Sequence, residues 1–370
     1  ERKKIEEEYK SLVAQIKELQ ALLKSPLKQR QLVESELKEI KAKYNDRRKT
    51  QIVYLKQGKA ASDLLTVKDV TPVESVWVVM AADGTLGKLT NEKPPRMSGK
   101  EAPLFLARTD SHQTLYLVRK NGQAAAIAVQ SVPTIEEGGQ GTSIDHLSPL
   151  HGTEIPVAMF SLPNEPKKKE LCLVTITRMG MIKKSLISEL KGPSSDPFTL
   201  VKVNEDDELV EVGVFDDKSQ YLIATANGML IRFEGTEARI MGLIAAGVNA
   251  IKLAEKDAVV GMVELAGKGE VVLISSSGVS WRIELDNIPL QGRYGQGVIG
   301  CRLEKGVELV GLVFGKKNYP YVLRFKKAAA KSYRVDDIGI SKRAGRGEQL
   351  VTLTENDRVV KVIRWSNFGD

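Results

Sequence analysis

The sequence predicts a mainly β protein: six small sheets packed radially, as in a propeller, preceded by an antiparallel α-helical hairpin. Two observations carry this. A strand–turn–strand unit returns about every 50 residues from about residue 66 onward, and ahead of it apolar residues repeat in heptads.

The helical segment comes first. Ile5, Tyr9, Leu12, Ile16, Leu19 and Leu23 step by alternating fours and threes, which aligns them in one seam while Glu and Lys fill the outer face. Ser25-Pro26 ends this helix and starts another, with Ser as N-cap and Pro at the first helical position, where no N–H is needed. The seam continues at Val33, Leu37, Ile40 and Tyr44. Residues 1–50 therefore read as a helical hairpin, closed by the basic cluster "NDRRKTQI" at 45–52. Residues 51–65 read as a linker and 66–370 as the β ring.

The recurring unit is "VWVVMAADGTLGKL" at 76–89, "LYLVRKNGQAAAIAV" at 115–129, "LVTITRMGMIKKSLI" at 173–187, "YLIATANGMLIRF" at 221–233 and "VVLISSSGVSWRIEL" at 271–285. A sixth, "YVLRFKKAAAKSYRV" at 321–335, lacks the turn glycine. Each reads as a β-hairpin whose tight turn needs positive φ, which Gly84, Gly122, Gly180, Gly228 and Gly278 adopt without steric cost. One such unit cannot bury both its faces, so neighbours must stack, and a ring leaves no long exposed edge.

Four residues after the turn glycine a base recurs: Lys88, Lys184, Arg232 and Arg282, with Ala126 in the second unit. A sixth turn centred on Ala330 puts Arg334 at that offset. In a radial array these bases are expected at equivalent places on one positive rim. Downstream of the hairpins lie glycine-rich loops: "PRMSGKE" at 95–101, "EEGGQGT" at 136–142, "GPSSDPF" at 192–198, "RIMGLIAAGV" at 239–248, "QGRYGQG" at 291–297 and "SKRAGRG" at 341–347. Glycines let such loops turn tightly and present N–H groups, and Arg and Lys add charges that suit phosphate oxygens. The candidate phosphate ligands are therefore Lys88, Arg96, Lys100, Lys184, Arg232, Arg239, Arg282, Arg293, Lys342, Arg343 and Arg346. Loop three has no base and loop two carries Glu136 and Glu137, so the positive rim is expected to be interrupted.

Other chemistries find no footing. The formal net charge of +8 favours an anionic partner. No apolar stretch reaches membrane-spanning length, and "ERKKIEEEYK" is not a secretory leader. Cys172 and Cys301 stand far apart in apolar surroundings, as buried thiols in a reducing compartment do. His112, His146 and His151 are scattered outside any metal-binding frame, and there is no nucleotide-binding glycine motif. No catalytic residue and no metal ligand is expected.

The hairpin pattern T-x-N-G-x-x-x-R with its G-R-x-x-x-G-V loops resembles the C-terminal DNA-wrapping domain of bacterial type IIA topoisomerases, the gyrase A subunit or its topoisomerase IV counterpart. Independently, "IEEEYKSLVAQIKELQALLKSPLKQRQLVESELKEIKAKYNDRRKTQI" resembles the end of that family's breakage–reunion domain, where helices form a stalk beneath the lower gate. The resemblance implies a six-bladed β-pinwheel whose blades exchange strands and whose outer basic edge bends double-stranded DNA irrespective of sequence. It implies that the nucleophilic tyrosine, the metal-binding acids and the ATPase site lie elsewhere, so this segment has no cofactor of its own. The parent enzyme would need ATP and Mg²⁺, dimerise through its A subunit, pair with an ATPase B subunit, and work in the bacterial cytoplasm at the nucleoid.

The family's first-blade box reads Q-R-R-G-G-K-G. At 95–101 only Arg96, Gly99 and Lys100 fit it. At 341–347 Arg343, Gly345 and Gly347 match, with Lys342 and Arg346 basic for basic. At 291–297 Gln291, Arg293, Gly295 and Gly297 match. The eroded first box makes weakened wrapping, or a decatenating role like that of topoisomerase IV, the expectation over strong negative supercoiling. The alternative from another class is a propeller scaffold that binds proteins and dimerises through its stalk. Such a scaffold calls for exposed aromatics at the loops, whereas Trp77, Trp281, Tyr221 and Tyr321 sit at core positions of the strands.

Overall fold

A computed structural model describes residues 1–44, 72–152, 154–162 and 171–364. The chain divides into two compact units, Glu1–Thr71 and Pro72–Asp370.

The first unit holds α1 (Arg2–Lys24) and α2 (Pro26–Tyr44). Ser25 stands between them in extended conformation, φ −120° and ψ 105°. Its hydroxyl accepts from the Lys28 amide at 3.4 Å and its carbonyl from the Gln29 amide at 3.1 Å, so it caps α2 as expected. The heptad seam is not closed. Neither helix has a buried residue, and seam exposure runs from 51% at Leu12 to 74% at Leu23. One connecting residue is shorter than the roughly 2–5 that let two helices turn back on each other. The basic cluster at 45–52 and the linker at 51–65 lie outside the described residues.

The second unit consists, among the described residues, of six sheets. In blade 1 the strand order is Phe105–Asp110, Ser75–Met80, Thr85–Leu89 and Thr142–Ser143. The last pair is borrowed: it follows the hairpin of blade 2. The same exchange recurs with Phe198–Thr199 on blade 2, Val248–Asn249 on blade 3, Val298–Ile299 on blade 4 and Glu348–Gln349 on blade 5. None of these five blades is complete without its successor. The third strands of several blades, Leu209–Asp216, Val259–Leu265, Leu309–Gly315 and Val359–Arg364, face one central opening. The borrowed strands and the glycine loops that lead into them therefore form the outer edge.

The first hairpin strands, such as Thr114–Val118, Gln220–Thr225 and Glu270–Ser275, bury both faces, which explains their near-continuous apolar sequence. Tyr221 and Ile223 pack toward blade 3, while Leu222 and Ala224 pack toward blade 5. One core lies at each junction between neighbouring blades, six in all among the described residues. The turn glycines take the expected left-handed conformation, Gly228 at φ +81°. A Cβ there would also stand 2.7 Å from the Cys301 sulfur. Across the opening, Glu211 of blade 3 pairs with Arg364 of blade 6. Arg364 also donates to Met262 O at 2.6 Å, and burial pushes its pKa down to about 10.

The ring closes. Among the described residues blade 6 has three strands, Lys331–Arg334, Pro320–Phe325 and Val359–Arg364, with the outer place of its hairpin left for another segment. Gly99, from the loop of blade 1, takes that seat. It exchanges backbone hydrogen bonds of 2.8 and 3.1 Å with Ala330, as Val298 faces Leu230 and Glu348 faces Ser280 elsewhere. Met97 and Ala102 pack beside it on Val322, Ala330 and Ile363.

This junction is the least apolar of the six. Arg324 and Lys361 stand opposite each other where blade 5 has Ile274 and Gly311. Arg324 donates to Ala102 O at 2.7 Å, and the Lys361 ammonium lies 4.3 Å from the Phe105 ring centre. Burial pushes Lys361 down to about 8, with the Arg324 charge adding to the shift. Facing like charges weaken a strand pair. Met97→Ala should therefore loosen this seam first, by about 2 kcal/mol. In native-state hydrogen exchange the Gly99 and Ala330 amides should speed up while those of blades 3 and 4 keep their protection.

Candidate nucleic-acid interface

The bases at the fixed hairpin offset do not form an outer rim. Arg282 is 6% exposed; its Nε pairs with Glu270 at 2.6 Å and its Nη1 donates to Ile338 O at 2.9 Å. Arg232 donates to Gln220 Oε1 at 2.8 Å and to Leu285 O and Ile288 O at 3.1 and 2.9 Å. Lys184, 1% exposed, donates to Gly235 O at 2.8 Å and pairs with Asp217. Lys88 is half-buried and reaches Val129 O and Gln130 O at 3.4 and 3.1 Å. In every case the cation crosses to the short 3₁₀ turn that ends the next hairpin. Four residues predicted to meet phosphate instead clamp consecutive blades.

Two further positions extend the pattern. Where blade 2 has Ala126, the facing Tyr116 donates to Lys191 O at 3.0 Å, so a hydroxyl serves the junction that lacks a base. Burial pushes that phenol up to about 12. In blade 6 the pair Val322 with Ser332 corresponds to Val272 with Arg282, so Ser332, not Arg334, occupies the clamp position.

The outer loops divide their cations between two tasks. Arg343 donates from Nε to Asn287 O at 3.0 Å and from Nη1 to Ile299 O at 2.9 Å. Arg293 does the same, from Nε to Glu237 O at 3.1 Å and from Nη1 to Asn249 O. Both are braces that tie one loop to the preceding one, and both are half-buried. The next residues, Tyr294 and Ala344, take positive φ of 68° and 58° to let the loop turn. Gly347 is required where it stands, since a Cβ would come within 2.6 Å of the Trp281 ring. Leu243 replaces the brace in the loop at 239–248, and Lys183 reaches it from beneath. Its ammonium, 1% exposed, donates to Leu200 O and Leu243 O, each at 2.6 Å, and burial pushes its pKa down to about 8.

Lys342, Arg346, Arg239, Arg96 and Lys100 are exposed, as a phosphate ligand must be. Arg96 and Lys100 do not repeat the geometry of 341–347. Gly99 sits where the borrowed strand begins in the other blades, after the loop's last glycine, so residues 95–101 straddle the closing bridge. Lys331, unassigned from sequence, and Arg334 are exposed on the outermost strand of blade 6. Trp77, Trp281, Tyr221 and Tyr321 are all buried, from 0 to 5% exposed, which leaves no aromatic platform among them. Both cysteines are buried, and burial pushes Cys301 up to about 12. Among the described residues no helix is long and apolar enough to cross a membrane.

A family model for the DNA gyrase C-terminal domain, beta-propeller, matches residues 220–264, 269–314 and 327–366. The chain is 27% identical over 260 residues to the DNA gyrase A subunit of Haemophilus influenzae, covering 66% of this chain and 28% of that protein. It is 29% identical over 260 residues to the DNA gyrase A subunit of Clostridium acetobutylicum, covering 67% of this chain and 30% of that protein. It thus spans less than a third of either relative. Among solved structures, the C-terminal domain of DNA topoisomerase IV superimposes with a TM-score of 0.70 at 24% identity, covering 79% of this chain and 94% of that one. The DNA gyrase A C-terminal domain superimposes at 0.64 and 18%, covering 79% of this chain and all of that one. These two likenesses establish the fold.

Arg282→Met should lower stability by about 2–3 kcal/mol, because it leaves the half-buried Glu270 carboxylate and the Ile338 carbonyl without their partner. Lys342→Ala should stay within about 0.5 kcal/mol of the parent. Tyr116→Phe should cost about 1–2 kcal/mol by orphaning one buried carbonyl. Urea unfolding of the three variants measures all of these.

Proposed function

We propose that this chain, whose residues 220–264, 269–314 and 327–366 match the family model for the DNA gyrase C-terminal domain, beta-propeller, is the non-catalytic DNA-binding and DNA-bending part of a bacterial type II topoisomerase A subunit. The observation that carries the reading is the division of its cations. Those on the second strands hold the ring together, while Lys342, Arg346, Arg239, Arg96 and Lys100 remain exposed on its outer edge.

The work is electrostatic and geometric. Lys and Arg at the edge neutralise phosphates and release counterions, so binding is independent of sequence and weakens as salt rises. Curving a short duplex costs on the order of 1–6 kcal/mol, which several spaced cations offset better than one cluster. A rigid closed ring keeps those cations at fixed separations, so the duplex bends to fit them. The curved segment is then presented for strand passage by the catalytic parts of the parent enzyme. Those parts, with their ATP and Mg²⁺, the A-subunit dimer, the ATPase B subunit, and a cytoplasmic, nucleoid-associated setting, belong to the same proposal.

Fluorescence anisotropy with a labelled duplex of arbitrary sequence tests it. The chain should bind at low salt, and Lys342→Glu with Arg346→Glu should flatten the plot of log K against log salt by about 2, since each phosphate contact contributes about 0.9. The melting temperature should not move, because both residues are exposed. Absence of duplex binding at low salt overturns the proposal.

A further inference from the structure

Ring closure brings cations far apart in sequence onto two neighbouring blades. The edge of blade 5 carries Lys342 and Arg346, and that of blade 6 carries Lys331, Arg334 and, through the closing loop, Arg96 and Lys100. All six are exposed. Of the carboxylates nearby, Glu348 accepts from the Gly339 amide at 2.9 Å and Asp337 from the Arg334 amide at 2.8 Å, while Asp336 is exposed beside Arg334.

The sign reverses at blade 1. Its outer loop is registered on the second strand by the bridge between Lys88 and Thr134, as that of blade 5 is by Arg282 and Ile340. Counting from those bridges, Glu136 occupies the place of Lys342, Glu137 that of Arg343, and Gln140 that of Arg346. Glu137 accepts from the Arg96 amide at 3.0 Å, so the acidic loop abuts the end of the basic edge. Glu101 lies on the same side, its carboxylate within 3.7 Å of where a Cβ on Gly138 would stand. Blade 2 follows with the loop 192–198, which contributes Asp196 and no base.

We infer that the duplex follows a polarised arc. It runs over the edges of blades 5 and 6, continues back past Arg239 on blade 3, and leaves the ring at blade 1, where Glu136 and Glu137 repel phosphate. Blades 1 and 2 complete the ring mechanically and stay off the DNA path. The partner is the phosphate backbone of a double-stranded nucleic acid, and the bend is partial rather than a full turn. This rests on the DNA-binding reading above.

The test moves the blade 5 cations onto blade 1. Glu136→Lys with Gln140→Arg should lengthen the hydroxyl-radical footprint on a long duplex and steepen the salt dependence by about 2, at about 0.9 for each new contact. Lys100→Glu with Lys331→Glu, both exposed, should weaken binding about tenfold or more at moderate salt. Lys191→Glu on blade 2, equally exposed, should leave affinity and footprint unchanged. Equal losses from the blade 2 and blade 6 variants, or no footprint change on converting blade 1, overturn the arc while DNA binding itself stands. A parent chain that fails to bind duplex overturns both readings together.

Discussion

The ring depends on a buried or half-buried cation reaching from one blade into the next. At four of its junctions a base on the second strand ends its side chain on carbonyl groups of the following 3₁₀ turn. Those carbonyls close a turn beneath the surface, where an unpaired acceptor costs about 1–3 kcal/mol. A long cationic side chain satisfies two of them at once, as Arg232 does with Leu285 and Ile288. The same residue's backbone receives the next loop, Gln291 on Arg232 and Ser341 on Arg282. One position thus fixes both the turn and the loop of its neighbour, and the outer edge inherits its spacing from it.

Strand exchange makes that spacing cooperative. Because each outer strand is lent by the following repeat, a loop cannot shift without disturbing the sheet it completes. For blade 6 a loop more than 200 positions earlier in the sequence supplies that contact through Gly99. That reuse explains why residues 95–101 keep so little of the box seen at 341–347. Met97 is committed to the closing core and Gly99 to the bridge, so neither can serve a phosphate.

Much of this is legible in the sequence. The turn glycines, the alternation of strands and a repeat of about 50 residues point to six sheets and their radial packing, and Ser25-Pro26 marks the helix boundary. The recurring base misleads. A charge at a fixed offset looks the same whether it faces solvent or a turn of the neighbouring blade, and only the register of Arg282 beside Ile340 separates the two. Arg343 misleads for the same reason, since its carbonyl partners Asn287 and Ile299 belong to the preceding repeat. Lys183 escapes notice because its equivalents are Ile231 and Trp281, so no repeat of charge points to it. The heptad seam promises a closed hairpin, but periodicity shows that a face is apolar without showing what covers it.

In the function proposed above, the second-strand cations hold the ring together and the exposed loop cations meet the DNA. That division is measured most directly by the salt dependence of duplex binding by folded chains carrying Arg232→Gln or Arg282→Gln, compared with the parent. Both variants should keep the parent's slope, whatever stability they lose, because neither guanidinium meets a phosphate. A slope lowered by about 0.9 in either variant, the signature of one lost phosphate contact, would contradict the division.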